Sequence, residues 1–319
     1  MKLPQTIYAH GKLMLTGEYL VMHGATSLAL PLRLGQIMQI EPSTSGLLEW
    51  QASDINGLWF KGSYSLSELS PVSISDDAIG LRLQNLLLTT NRLNATFSDN
   101  FQGIKIKTHL EFDRLWGLGS SSTLIALLSK LAELDAFTLH DAVSNGSGYD
   151  VACAIAESPL LFRRSNHTAA WEPVDFKPDF SSSLYFIYLG NKQNSAAEVS
   201  LFLKKYPEIL QDKVEDISTI GMEILKTQDL INFNDLITRH EQIMSKILDI
   251  KPIKELQFPD FNGAIKSLGA WGGDFILAST NAGANYVKTY FRGKGCETVF
   301  QYDDIVMNVP FGKNKPIPT

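Results

Sequence analysis

Apolar and polar positions recur along this chain at two different periods, and each change of period marks an element. Asp77 to Arg92 sets Ile79, Leu83, Leu86 and Leu87 at helical spacing. Ser120 to Leu134 is the stronger helix, with Leu124, Leu127, Leu128, Leu131 and Leu134 at i, i+3, i+4, i+7 and i+10. Serines precede that stripe in the region where a helix takes its N-cap. Leu28 to Ile40 alternates weakly and is interrupted by Pro31, while Gly57 to Gly62 and Gly103 to His109 read as short strands. A short helix is expected after Asp150, ending before Pro159, and Leu160 to Arg164 follows as a strand.

Ser165 to Ser183 mixes Ser, Pro and Asp with little pattern, which places a boundary there between lobes at 1–170 and 171–319. Leu184 to Leu189 has the apolar run of a buried strand. Helices are expected over Ser195 to Lys205, Val214 to Lys226 and Leu230 to Leu248. Phe275 to Ala278 then reads as a strand, Ala282 to Phe291 as a helix and Glu297 to Tyr302 as a last strand. Both halves are therefore α+β, without the steady strand–helix alternation of a doubly wound sheet.

Composition narrows the function. The chain has 319 residues, 44% apolar and 19% charged, enough to build a large core. A net charge of −6 disfavours a general nucleic-acid binder, so an RNA-binding module is a remote alternative. Two cysteines, Cys153 and Cys296, form no disulfide framework, and the six histidines show no HExxH spacing. The first twelve residues carry no apolar signal-like stretch, and no run approaches a membrane span. A protein of the cytoplasm, bound to no membrane, is the expectation.

Four glycine-rich segments hold the candidate chemistry. Trp116-Gly117-Leu118-Gly119-Ser120-Ser121-Ser122-Thr123 opens the stronger helix. Its glycines allow a tight turn and close backbone approach, and the helix start offers unpaired N–H groups with a partial positive charge. With three serine hydroxyls this suits a phosphate. The string is neither Gly-Lys-Ser/Thr nor a complete GxGxxG, and it equally suits an ordinary Ser-capped helix after a glycine turn. Gly11-Lys12 through Glu18 to His23-Gly24 reads as a tight turn carrying a cation and an acid. Gly146 to Asp150 is a glycine turn entering a helix, where Asp150 could serve simply as an N-terminal helix acid. Gly269-Ala270-Trp271-Gly272-Gly273-Asp274 precedes a strand.

In their order and spacing these segments resemble the GHMP family of small-molecule kinases, over nearly the whole chain from about Gln5 to about Pro310. Gly11 to Gly24 is similar to the family's first motif, Gly117 to Ser121 to its phosphate loop and Gly269 to Asp274 to its third motif. Within the family, Gly17-Glu18-Tyr19-Leu20-Val21 and Gly146 to Ala152 look most like mevalonate and phosphomevalonate kinases. Gly190 to Ser195, followed by Val199, resembles a loop near their substrate. There are departures. His10 stands where proline is usual, Asp113 to Trp116 lacks the proline before the phosphate loop, and Trp271 replaces a glycine.

The resemblance implies a two-lobed α+β fold, with a ribosomal-protein-S5-like first lobe and a ferredoxin-like second lobe. It implies ATP and Mg²⁺ as cofactors and mevalonate or a phosphorylated relative as the small-molecule acceptor. Asp150 would accept or orient the proton of the attacking group, and Lys12 would sit beside it as a catalytic cation. Gly117, Leu118, Gly119, Ser120, Ser121 and Ser122 would hold the phosphates, and Ser121 and Asp141 the metal. Glu18, His23, Ser195, Gly272 and Gly273 would line the acceptor. A phosphorylated acceptor would need a further cation, and Lys61, Lys105, Lys107 and Lys192 stay open for that part. Diphosphomevalonate decarboxylase, homoserine kinase and a non-catalytic relative are the alternatives, and the chain could act as monomer or homodimer.

Overall fold

The computed structural model describes residues 3–98, 103–165, 168–190, 195–209, 211–271 and 273–309. The strands are β1 (Gln5–Met14), β2 (Ser27–Pro42), β3 (Leu47–Asp54), β4 (Gly57–Ser65), β5 (Pro71–Ile74), β6 (Ile104–Leu110), β7 (Leu160–Ser165), β8 (Thr168–Pro173), β9 (Leu184–Tyr188), β10 (Ala264–Leu268), β11 (Phe275–Ser279) and β12 (Val299–Gln301). The helices are α1 (Asp77–Leu93), α2 (Ser120–Leu131), α3 (Ala136–Val143), α4 (Tyr149–Ile155), α5 (Ser195–Lys205), α6 (Gln211–Lys226), α7 (Leu230–Leu248), α8 (Ile253–Gln257), α9 (Ala284–Gly293) and α10 (Tyr302–Ile305).

Two compact units emerge. The first comprises Met1–Gly11 and Leu34–Ile155, and the second Lys12–Arg33 and Ala156–Thr319. In the first unit the strand order is β5-β4-β3-β6-β2. Pairing is antiparallel except for β3 with β6, which run parallel with Trp50 opposite Ile106. Period-two alternation explains its core. Met38 and Ile40, Leu48, Trp50 and Ala52, and Ile104 and Ile106 all turn to one face, against Leu83, Leu87, Ile125 and Leu128 from the helices. Each buried Leu, Ile or Met among them contributes roughly 1.5–3 kcal/mol. α2 packs on both α3 and α4.

In the second unit, β9, β10, β11 and β12 form an antiparallel sheet of order β10-β11-β9-β12. With α5 to α8 between β9 and β10, and α9 between β11 and β12, this is the ferredoxin-like topology expected of the second lobe. Tyr185, Ile187, Ile265 and Ile276 meet Phe258, Phe261, Val287 and Phe291 in one core. The same unit holds β7 and β8, paired from Leu160 opposite Pro173 to Ser165 opposite Thr168.

Some sequence expectations change. Pro31 does not interrupt its strand: β2 runs through it, and the segment's residues from Ser27 to Leu32 are all buried. Gly11 and Lys12 lie within β1, not in a turn. β1, β3, β5, β8, β10, α3, α8 and α10 are elements that the periodicity did not reveal. Among the described residues no helix is long and apolar enough to cross a membrane.

Candidate functional site

The phosphate-loop segment belongs to the first unit. Gly117 (φ 71°) and Gly119 (φ 101°) both adopt the left-handed conformation that glycine reaches without strain. Leu118 between them is fully buried and anchors the loop to the core. The approach, Asp113 to Trp116, is fixed by polar contacts rather than by proline. The Asp113 carboxylate accepts from Leu115 N at 2.8 Å and from Asn56 Nδ2 at 2.9 Å. The Arg114 guanidinium lies 5.1 Å from the centre of the Trp59 ring. Gly11 backs the loop closely, since a Cβ there would meet Leu34 O at 2.8 Å and Leu118 O at 3.1 Å.

α2 begins unlike several of its neighbours. α1, α3 and α7 start behind Asp76, Asp135 and Asp229, whose carboxylates accept the first-turn amides. α2 starts behind Gly119 with no side-chain cap, so its first amides are left for another acceptor. Its three serines then separate in role. Ser122 is 2% exposed and its hydroxyl donates to Gly119 O at 2.9 Å, which makes it part of the helix start. Ser120 is half-buried and Ser121 is exposed, so these two are the more accessible of the three. Thr123 Oγ1 donates to Gln36 Oε1 at 2.8 Å and locks the first turn onto β2.

Asp150 lies in the first turn of α4, partly buried, with Oδ1 accepting from Val151 N at 3.0 Å. Because α4 packs on α2, the structure brings the two glycine-turn helices of the first unit together. Asp141 sits on α3 with Oδ1 2.8 Å from His140 Nδ1, so that carboxylate is already engaged. Among the described residues no group of three or more His, Cys, Asp and Glu could hold a metal ion. Among the described residues the phosphate-loop segment offers a magnesium ion single oxygens such as the Ser121 hydroxyl, so phosphate oxygens would have to complete its shell.

The remaining candidates lie in the second unit. Lys12 is half-buried on β1. Glu18 is 1% exposed and its carboxylate pairs with the Lys266 ammonium, so it lies beneath the surface of its turn. His23 ends a short helical turn over Leu20–His23, and burial lowers its pKa. Ser195 opens α5, its side chain lying outside the described part. Gly273 is buried, while Gly272 and Lys192 fall outside the described residues. Of the other lysines considered, Lys107 pairs with Glu41 at 2.9 Å in the first unit.

Around Glu18 the chain takes an unusual path. Gly17 has φ 92°, and a Cβ there would collide with the Ser27 side chain. Tyr19 follows at φ 59° and ψ −47°, a region that costs a non-glycine residue on the order of 1–3 kcal/mol. Its ring packs 4.8 Å from that of Phe202, and its hydroxyl accepts from Trp271 N at 3.3 Å. Burial pushes the Tyr19 phenol up to about 12. Trp271, the departure in the third glycine segment, is 8% exposed in the same cluster as Tyr19, Phe202 and Met244. Its indole thus fills the core of the second unit.

The sequence reading missed Lys266, His240 and Glu241, all buried in the second unit. Lys266 lies on β10 with Nζ also donating to Ser267 O at 2.9 Å. His240 Nε2 accepts from Gly17 N at 3.1 Å. Glu241 accepts from Ser267 Oγ at 2.7 Å and from Ser267 N at 3.2 Å. Burial pushes the Glu18 carboxyl up to about 7, against the pull of Lys266, and raises Glu241 as well. Burial and the Lys266 charge hold His240 well below its ordinary value, so the imidazole is neutral. Its 3.4 Å approach to Glu18 Oε2 is accordingly no ion pair. The available signal was a lysine inside the short apolar strand Ala264-Ile265-Lys266-Ser267-Leu268, a pattern that a surface strand shares.

No family model and no curated protein sequence matches the chain. Solved structures do. A Streptococcus pneumoniae phosphomevalonate kinase in complex with phosphomevalonate and AMPPNP aligns at TM-score 0.68 and 18% identity, over 93% of this chain and 99% of that one. An L. major mevalonate kinase in complex with R-mevalonate aligns at 0.65 and 17%, over 97% and 99%. Methanococcus jannaschii mevalonate kinase aligns at 0.66 and 15%, over 95% and 98%. The chain has the α+β fold that these kinases share, over nearly its whole length.

Proposed function

We propose that this protein is an ATP-dependent small-molecule kinase that transfers the γ-phosphoryl group to mevalonate or a phosphorylated relative. The observation that carries the reading is the bare start of α2. Two left-handed glycines, uncapped first-turn amides and the hydroxyls of Ser120 and Ser121 offer donors to an anion in the first unit. The fold shared with a phosphomevalonate kinase bound to AMPPNP supports a nucleotide as that anion.

Phosphoryl transfer asks for positioning and charge neutralisation more than covalent chemistry. The amides after Gly119 would hold the nucleotide phosphates, with Gly117 and Leu118 shaping the approach. Asp150 would accept or orient the proton of the attacking hydroxyl. Lys12 would supply a fixed positive charge to the transferring group. Ser121 would hold a phosphate-borne Mg²⁺, which when bound neutralises developing charge. Gly273 would form part of the acceptor side, with His23 and Ser195 as further candidates.

ADP release measured over mevalonate, phosphomevalonate, diphosphomevalonate, homoserine and galactose tests the reading. Turnover should rise with one of the first two acceptors. Release with homoserine or galactose alone would replace the acceptor assignment. Phosphate and carbon dioxide appearing with diphosphomevalonate would make the protein a decarboxylase. No release with any acceptor at saturating Mg²⁺-ATP would sink the kinase assignment.

A further inference from the structure

The second unit contains a charged cluster that the proposed chemistry does not use. Lys266 and His240 are fully buried, and Glu18 and Glu241 are 1% and 2% exposed. Its members come from three distant parts of the chain: Glu18 from the Gly17–Tyr19 turn, Lys266 from β10, and His240 and Glu241 from α7. The contacts run to backbone as much as to side chains. His240 Nε2 holds Gly17 N, Glu241 holds Ser267 N, and Lys266 bridges Glu18 to Ser267 O. A fourth tie joins the same two stretches, from Trp271 N to the Tyr19 hydroxyl. The cluster thus grips the first glycine segment at Gly17 and the lead-in to the third at Ser267.

Its charge does not balance. Lys266 contributes one positive charge against two carboxylates, and His240 is neutral with Nε2 occupied by the Gly17 amide. A buried surplus charge is costly, so the cluster favours keeping one extra proton. Glu18 Oε2 is the oxygen without a hydrogen-bond partner among the described residues, and it faces His240 Nε2 at 3.4 Å. Glu18 is faced by Lys266 from β10 and by His240 and Glu241 from α7, while Glu198 of α5 acts on neighbouring Tyr19. Burial and Glu241 both raise the Glu18 carboxyl, which is consistent with that proton residing there.

We propose that Lys266, His240 and Glu241 are positioning residues for the phosphoryl transfer, a buried clamp that fixes the Gly17–Tyr19 turn against Ser267–Trp271. The inference rests on the kinase reading. In the active arrangement Glu18 is ionised against Lys266. Protonation as the pH falls weakens the Lys266–Glu18 link, which ties the turn to β10, while the bonds of His240 and Glu241 to backbone remain. None of the three residues needs to touch substrate or nucleotide.

The experiment uses the full chain with Mg²⁺-ATP and whichever acceptor supports turnover, and follows kcat and KM from pH 5.5 to 8.5. Glu241→Gln keeps an oxygen for Ser267 and removes the surplus charge. Its kcat at pH 8 should stay near wild type, while the acid limb moves to lower pH by about 1 unit. Glu241→Ala removes the acceptor too. Its kcat should fall about 10–100-fold at little-changed KM for ATP, because the third glycine segment is no longer held. Amide hydrogen exchange at Ser267 should quicken in Glu241→Ala and not in Glu241→Gln. If Glu241→Ala does not fold, the acid limb of Glu241→Gln decides alone. An unmoved limb and unchanged kcat, in variants of an active enzyme, would reduce the cluster to buried support and overturn the inference. Absence of turnover in the wild type with every acceptor fails the kinase reading, and the positioning role falls with it.

Discussion

The start of α2 and the cluster under Glu18 solve opposite electrostatic problems. The first presents uncapped backbone amides and neutral hydroxyls, with no cation among residues 116 to 123. Any anion held there would be held by the peptide groups themselves, which cannot be titrated away. The second gathers a lysine, two carboxyls and a histidine where water does not reach, and all of them are spent on one another and on backbone. The proposed ligand site is thus built from uncharged donors, whereas the full charges of the second unit lie inside, against one another. A fastener made of charges is sensitive to pH and to the loss of one member, and the comparison can be broken at either end.

The largest effect should come from unbalancing the buried charges. Lys266→Met leaves Glu18 and Glu241 without their cation and should cost about 3–5 kcal/mol of stability, read by urea unfolding. Adding Glu18→Gln to that variant should recover most of the loss. A single variant as stable as wild type would show that the cluster is not the tight pair the structure depicts.

Next in size is Asp150→Asn in the first unit. It should lower kcat by about 100-fold with an unchanged melting temperature and nucleotide affinity, since Asp150 is partly exposed and its bond to Val151 N is local. Near-normal turnover would remove Asp150 as the proton acceptor.

A smaller and signed effect concerns pH. The folded Glu18 carboxyl titrates at about 7, above its ordinary 4.5. Between those values the folded chain holds a proton that the unfolded chain releases, so this group's contribution is greatest below pH 4.5 and is lost as the pH rises to 7. His240 acts the other way, because its neutral folded form favours the native state once the pH exceeds the ordinary histidine range. Comparing melting temperatures of wild type and Glu18→Gln across pH 4.5 to 8 separates the two. Wild type should lose stability relative to the variant through that window, and a constant gap would contradict the raised carboxyl.

The smallest effects divide two adjacent serines. Ser122→Ala should cost about 1 kcal/mol through its lost bond to Gly119 O and leave magnesium dependence alone. Ser121→Ala should leave stability alone and raise the magnesium concentration needed for half-maximal rate. The reverse pattern would exchange their roles.

Much of the framework was legible because it is local. The leucine stripe of α2, the amphipathic α1 and α7 and the apolar run of β9 follow from periods that lie within one segment. The glycine turns at 117–119 and 146–148 were legible too, because backbone freedom belongs to the residue itself. β3 alternates cleanly in burial through Leu48, Trp50 and Ala52, but Glu49, Gln51 and Ser53 between them dilute its apolar signal. β8 is a largely exposed edge whose evident partner is β7, so its pattern carries almost no apolar mark. Pro31 suggested a break in a strand that tertiary burial keeps continuous.

What the sequence determined by itself is the set of segments able to form turns and helix starts, together with the resemblance that assigns them a chemistry. What only the tertiary structure decided is which polar groups are left for a ligand. Ser122 and Ser121 are identical in sequence terms and differ only in what surrounds them. Lys266 reads as a surface residue until β10 is seen buried beside α7, and the pairing of the Glu18 carboxylate with Lys266 is visible only in the fold. The reason is physical: backbone conformation is fixed within a few residues, whereas desolvation and charge pairing depend on chain segments that meet across more than two hundred positions.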